Sequence, residues 1–209
     1  MKTALATLAF VVGGTMFAVS SQASTVATFA DPAANGTTPL FTFNSLTNVL
    51  SGGWSSNNLT LQVPAQIPSG ASYTNAHFTM TPVTVVGNAG PVLIMSPGQV
   101  NFFDSSANPL LTISFSGGFL QPTTNFGASD FVGFNVAFSG PVLNGYLPPN
   151  NEAFSFSFAN LVNTHLDTGL PSGYTVTSSF TSSADLTTPA PGAAALLGLG
   201  GLVAARRRR

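Results

Sequence analysis

From Ser24 to about residue 188, apolar and polar side chains alternate with a period of two, the spacing of a strand with one buried face. The clearest run is Glu152–Phe158, where Phe154, Phe156 and Phe158 share one face and Ser155 and Ser157 the other. Leu111, Ile113 and Phe115 alternate with Thr112 and Ser114. Val132, Phe134, Val136 and Phe138 alternate with Gly133, Asn135 and Ala137. Tyr174, Val176 and Phe180 fall on one parity opposite Thr175 and Thr177. Shorter runs cover Thr25–Phe29, Leu40–Phe43, Leu59–Val63, Tyr73–Thr81, Val92–Met95 and Val100–Phe103. Turn formers separate them, among them Ser51-Gly52-Gly53, Gly87-Asn88-Ala89-Gly90-Pro91, Ser116-Gly117-Gly118 and Pro148-Pro149-Asn150-Asn151. About ten short strands, with no long amphipathic helix between them, predict an all-β body. Two packed antiparallel sheets in a jelly-roll-like β-sandwich fit the length, and no solenoid-length repeat interrupts the pattern.

The two ends break the alternation. Met1-Lys2, an apolar run from Ala4 to Val19 and small residues at Ser21 and Ala23 make a secretory signal peptide over 1–23. Cleavage is expected between Ala23 and Ser24. The body is then 24–187 and the tail 188–209. In the tail, Gly192–Ala205 is 14 uncharged residues. As a short apolar helix it would extend about 21 Å, against a hydrocarbon core of about 30 Å. Such a transmembrane helix suits transient insertion better than permanent anchoring, with the arginines kept on the cytoplasmic side. A permanent tail anchor is the alternative reading.

Thr188-Pro189-Ala190-Pro191, the Gly/Ala/Leu run and Arg206, Arg207, Arg208 and Arg209 together resemble the PEP-CTERM sorting signal of Gram-negative bacteria. The resemblance covers the last 22 or so residues and the matching signal peptide, and Ala190 stands where the family carries Glu. It implies passage through the Sec export machinery and handling by an exosortase-like processing enzyme. It also implies a place at the cell surface or in an exopolysaccharide or biofilm matrix.

Charge sharpens this picture. Only 5% of the chain is charged, and all five basic residues are terminal. Residues 24–187 hold six acids and no Lys or Arg, a formal charge of −6. A body without cations cannot neutralise phosphates, which excludes nucleic acid as a partner. With no Cys there is no disulfide, thiolate metal site or thiol nucleophile. The 44% hydrophobic content, with 18 Phe, is ample for a core.

Catalytic groups are scarce. No G-x-S-x-G elbow exists, and the two histidines, His77 and His165, read as surface or loop residues. A glycoside hydrolase needs two carboxylates across a cleft, and Glu152 is the only Glu, with no two acids within ten residues of each other. No cofactor is expected. Calcium is the one ion that the acids could attract, and the oxygen-rich turns Asp104–Asn108 and Asp167–Gly169 read as ordinary Asx turns. Sugar binding uses exposed rings with amide and hydroxyl neighbours. Trp54, in the polar stretch Ser51–Asn58, and Tyr146, in Asn144–Pro148, are the candidate glycan contacts. The leading expectation is a non-enzymatic exported surface or matrix protein that associates with exopolysaccharide. A secreted carbohydrate-binding module is the alternative, with a glycoside hydrolase behind it.

Overall fold

The computed structural model describes residues 23–33, 38–121, 129–163 and 173–188. Twelve strands follow one another along the chain: β1 (Ala23–Phe29), β2 (Phe41–Asn44), β3 (Val49–Trp54), β4 (Leu61–Val63), β5 (Ala71–Tyr73) and β6 (His77–Ala89), then β7 (Val92–Met95), β8 (Gly98–Phe103), β9 (Pro109–Gln121), β10 (Ser129–Ser139), β11 (Asn150–Asn163) and β12 (Tyr174–Asp185). The all-β expectation holds. The two-sheet sandwich does not, because the strands form one closed antiparallel barrel with eight strand positions.

Closure is made by β12. One of its edges pairs with β11 from Asn150↔Asp185 to Asn163↔Tyr174. Its other edge is shared, with β2 beside Tyr174–Val176 and β1 beside Phe180–Asp185. From β2 the ring runs through β3, β6, β9 and β10 back to β11, and β7 and β8 fill one position between β6 and β9. A sandwich would leave open edges at its corners; here the hydrogen bonding continues around them. The branch β1–β4–β5 leaves the ring and ends at β5, three residues long.

Phenylalanine fills the interior, as an eight-position barrel needs side chains to plug it. Phe29, Phe41, Phe78, Phe102, Phe156 and Phe180 come from six different strands, and all are at most 2% exposed. Their ring centroids approach to 4.8 Å for Phe41–Phe156 and Phe102–Phe180, and to 5.1 Å for Phe156–Phe180. Such spacings add aromatic contact energy to the burial of area. Glycine makes room for the rings: a Cβ at Gly52 would collide with the Phe41 ring, and one at Gly133 with Phe154.

Asparagine bends the walls. Six of the seven non-glycine residues with positive φ are asparagines, the type that tolerates this conformation best. Asn151 and Asn160 coincide with the two register shifts between β11 and β12. Asn135, at φ 49°, marks a change of face in β10. The simple alternation predicted Val132, Phe134, Val136 and Phe138 on one side. Instead Phe131 and Phe138 are buried, Val132 is 41% exposed, and the inward positions change parity across Asn135. At β1, a bulge between Thr25 and Ala27 is closed by the buried Ser182 hydroxyl. That hydroxyl accepts the Ala27 N–H at 3.1 Å and donates to the Ala27 carbonyl at 2.9 Å.

Among the described residues no helix is long and apolar enough to cross a membrane, and the helical element there is a 3-10 turn at Pro141–Leu143. The transmembrane helix expected of the tail is therefore not part of the described fold, and residues 189–209 lie outside it.

Removing one interior ring should be costly. Phe156→Ala is expected to destabilise the barrel by about 3–5 kcal/mol in urea unfolding, since Phe156 contacts Phe29, Phe41, Phe78, Phe154 and Phe180. A loss below about 1 kcal/mol would contradict the closed phenylalanine core.

Candidate functional site

The structure scatters the residues singled out as chemistry. Trp54 closes β3 and is 7% exposed, a core residue rather than the exposed ring that its polar stretch suggested. Its indole N–H has no partner among the described residues. Tyr146 is half-buried, and its hydroxyl donates to the Ala65 carbonyl. Glu152 is also half-buried and accepts the Phe138 N–H at 2.9 Å, so the only Glu braces β10 against the start of β11. His77 opens β6 and is half-buried. Ala23 and Ser24 begin β1, opposite Asp185 and Ala184. Pro189, Ala190, Pro191 and Arg206–Arg209 lie outside the described residues, as do His165 and Asp167.

The acids do local work. Asp104 forms the Asx turn that its sequence suggested, with Oδ1 accepting the Ser106 N–H at 2.8 Å and the Asn108 N–H at 2.9 Å. The Asn108 side-chain amide donates to Oδ2 at 2.8 Å. Asp185 accepts the Asn151 amide at 2.7 Å. Among the described residues no three His, Asp or Glu side chains gather where they could hold a metal ion.

What the fold does assemble is a row of side chains across its outside. Residues directly opposed in neighbouring antiparallel strands share a face. Ile94 on β7 opposes Phe119 on β9, Phe119 opposes Val132 on β10, and Val132 opposes Ser155 on β11. The row continues through Thr181 on β12 and Thr28 on β1 to Gln62 on β4 and Ser72 on β5. Seven strand spacings make this roughly 34 Å along the curved surface. Its first part is apolar, and its remainder carries hydroxyl and amide groups without a charge.

The apolar part owes its shape to the change of face at Asn135. Phe134 turns outward there and lies over Gly117, where a Cβ would collide with its ring. Its centroid is 5.0 Å from that of Phe119, which is 44% exposed. Beside the rings the Asn135 amide donates to the Ser116 hydroxyl at 2.8 Å. Sequence alternation missed both rings because it assigned Phe134 to the core face.

Three surface hollows open along the same row. The first, about 240 Å³, lies at Val132, Ser155, Thr181 and Ser183. The second, about 530 Å³, lies at Thr25, Thr28, Pro64 and Tyr146. The third, about 390 Å³, lies at Gln62, Ser69 and Ser72. Tyr146, expected as a glycan contact from sequence, thus stands beside the middle of the row.

Comparison with family models, with curated proteins and with solved structures returned no match.

The Asp104 turn carries its own pH signature. The Asn108 side-chain amide first, then the backbone N–H groups of Asn108 and Ser106, hold its carboxyl below the ordinary 3.8. A depressed carboxylate contributes stability above its ordinary pKa and loses it as pH falls through the lowered value. Carbon-detected NMR titration should place Asp104 below 3.8. In Asp104→Asn the acid-side change at Ser106 and Asn108 amides should vanish. An Asp104 midpoint at or above 3.8 would contradict the turn.

Proposed function

We propose that this chain is an exported, non-enzymatic protein of the cell surface or extracellular matrix. A secretory signal over residues 1–23 takes it through the Sec machinery. The Pro189-Ala190-Pro191 step, the apolar run and Arg206–Arg209 then serve an exosortase-like enzyme as its sorting tail.

The observation that carries this reading is the pairing of Ala23 with Asp185. The first residue of β1 and the last of β12 lie side by side, at one pole. Both addresses can therefore face the membrane together while the rest of the barrel points away from it. Processing at both ends would also spare the fold. A cut after Ala23 removes the first of seven residues of β1, and a cut within Pro189–Pro191 falls beyond Asp185, the last residue of β12. The remaining body is uncharged over most of its surface and holds no Lys or Arg, which suits contact with neutral matrix polymers better than with nucleic acid or anionic lipid. The placement of Glu152, Asp104 and Asp185 in structural hydrogen bonds supports a role without catalysis.

Intact mass of the protein recovered from the cell surface and medium tests this. The expected species begins at Ser24 and ends between Pro189 and Pro191. A species that retains Arg206–Arg209 and fractionates with the membrane would overturn the sorting role.

A further inference from the structure

We propose that the row from Phe119 to Gln62 is a binding track for an extended, uncharged polysaccharide. It deepens the matrix reading, and depends on that reading only for where the polymer is met. Phe119 and Phe134 form the ring end, where sugar C–H faces pack against exposed aromatic surface. Ser155, Thr181 and Gln62 exchange hydrogen bonds with sugar hydroxyls further along.

Four observations favour this occupant. First, the track is long and narrow, roughly 24 Å across the five strand spacings from Phe119 to Gln62, and three hollows open along it in succession. Second, it is neutral. Among the described residues there is no Lys or Arg, and the exposed Asp130 lies on β10 two residues from Val132, so a polyanion is repelled at the ring end. Third, the row's strands pair with neighbours on both sides up to β5, so a partner meets side chains there rather than adding a strand. Fourth, the apolar part is too small to bury a second copy. Phe119 and Val132 are 44% and 41% exposed and Phe134 and Ile94 less, whereas a stable dimer needs about 800 Å² from each partner. Two copies would also bring the same acids face to face.

The face change supports a selected role. Positive φ at a non-glycine residue is a local cost, and at Asn135 it accompanies the turning of a phenylalanine out of the core.

Affinity electrophoresis of the purified full chain tests the track, in native gels cast with hydroxyethyl cellulose, dextran or galactomannan, and with dextran sulfate as the polyanion. At least one neutral polymer should retard the protein, and any retardation by dextran sulfate, which Arg206–Arg209 can cause, should be unchanged by substitutions in the row. Phe119→Ala at the ring end and Gln62→Ala at the far end should each weaken retardation by the neutral polymer roughly five- to tenfold. Both positions are exposed, and unchanged circular dichroism confirms that the variants fold. For a tetrasaccharide of the same polymer, too short to reach both ends, only one of the two substitutions should matter. Retardation by neutral polymer that neither substitution alters, retardation by dextran sulfate that the same substitutions weaken, or no retardation by any neutral polymer overturns the proposal. So does concentration-dependent self-association that Phe119→Ala abolishes without touching retardation, which would make the rings a contact between copies. Neutral-polymer binding together with recovery from native cells of a protein that keeps its arginine tail would sink the sorting role and leave the track standing. A processed protein that binds none of the polymers would do the reverse.

Discussion

Everything else in this molecule depends on how six phenylalanines meet inside a ring of strands. Phe29, Phe41, Phe78, Phe102, Phe156 and Phe180 arrive from β1, β2, β6, β8, β11 and β12, and no strand contributes more than one of these rings. Closing the ring through the β11–β12 pairing brings them within contact distance, and their burial stabilises the closure in turn. Without Cys, Lys or interior ion pairs the body has few other means of cohesion. Hydrophobic area and the continuous hydrogen-bond ladder must supply it.

That solution leaves the outer surface free of structural duty. The peptide groups of the ring strands are used in the ladder and the large rings point inward, so the outside can be short-chained, polar and neutral. Two departures stand out against it. Asn135 turns Phe134 outward beside Phe119, and the β1–β4–β5 branch extends the outer row beyond the ring. Both lengthen one continuous row, while single exposed apolar side chains such as Leu46, Leu147 and Val162 stand elsewhere on the surface. The start of β1 and the end of β12 pair at one pole, through Ala23 and Asp185, and the row crosses the flank of the barrel.

The strands were legible from sequence because alternation reports which side of a wall a residue faces. Phe154, Phe156 and Phe158 on β11, Leu111, Ile113 and Phe115 on β9, and Tyr174, Val176 and Phe180 on β12 all point inward as read. The same alternation describes a sandwich and a barrel equally well. What separates them is whether β11 and β12 hydrogen-bond, and that contact has no local signature in the chain. Face changes were hidden for a similar reason: an asparagine in left-handed conformation looks like any polar residue on the outer face, so Phe134 was assigned inward. Trp54 misled in the other direction. Its Gly/Ser/Asn neighbours suggest an exposed turn, yet it ends β3 opposite the buried Phe78. Of the candidate contacts, Tyr146 lines a hollow with Thr28, and its hydroxyl is held by the Ala65 carbonyl. The row beside it could not be read from sequence, since its members come from strands up to 153 positions apart, as the paired Thr28 and Thr181 are.

The central claim is that a neutral polymer lies along this row and nowhere else on the barrel. The most direct measurement is methyl NMR of the protein labelled at Ile, Leu, Val and Thr, titrated with hydroxyethyl cellulose, dextran or galactomannan. The methyls of Ile94, Val132, Thr181 and Thr28 should shift together, while those of Leu46 and Val162, exposed but off the row, should stay still. Shifts at Leu46 and Val162 with a silent row, or uniform small shifts over the whole surface, would contradict the account.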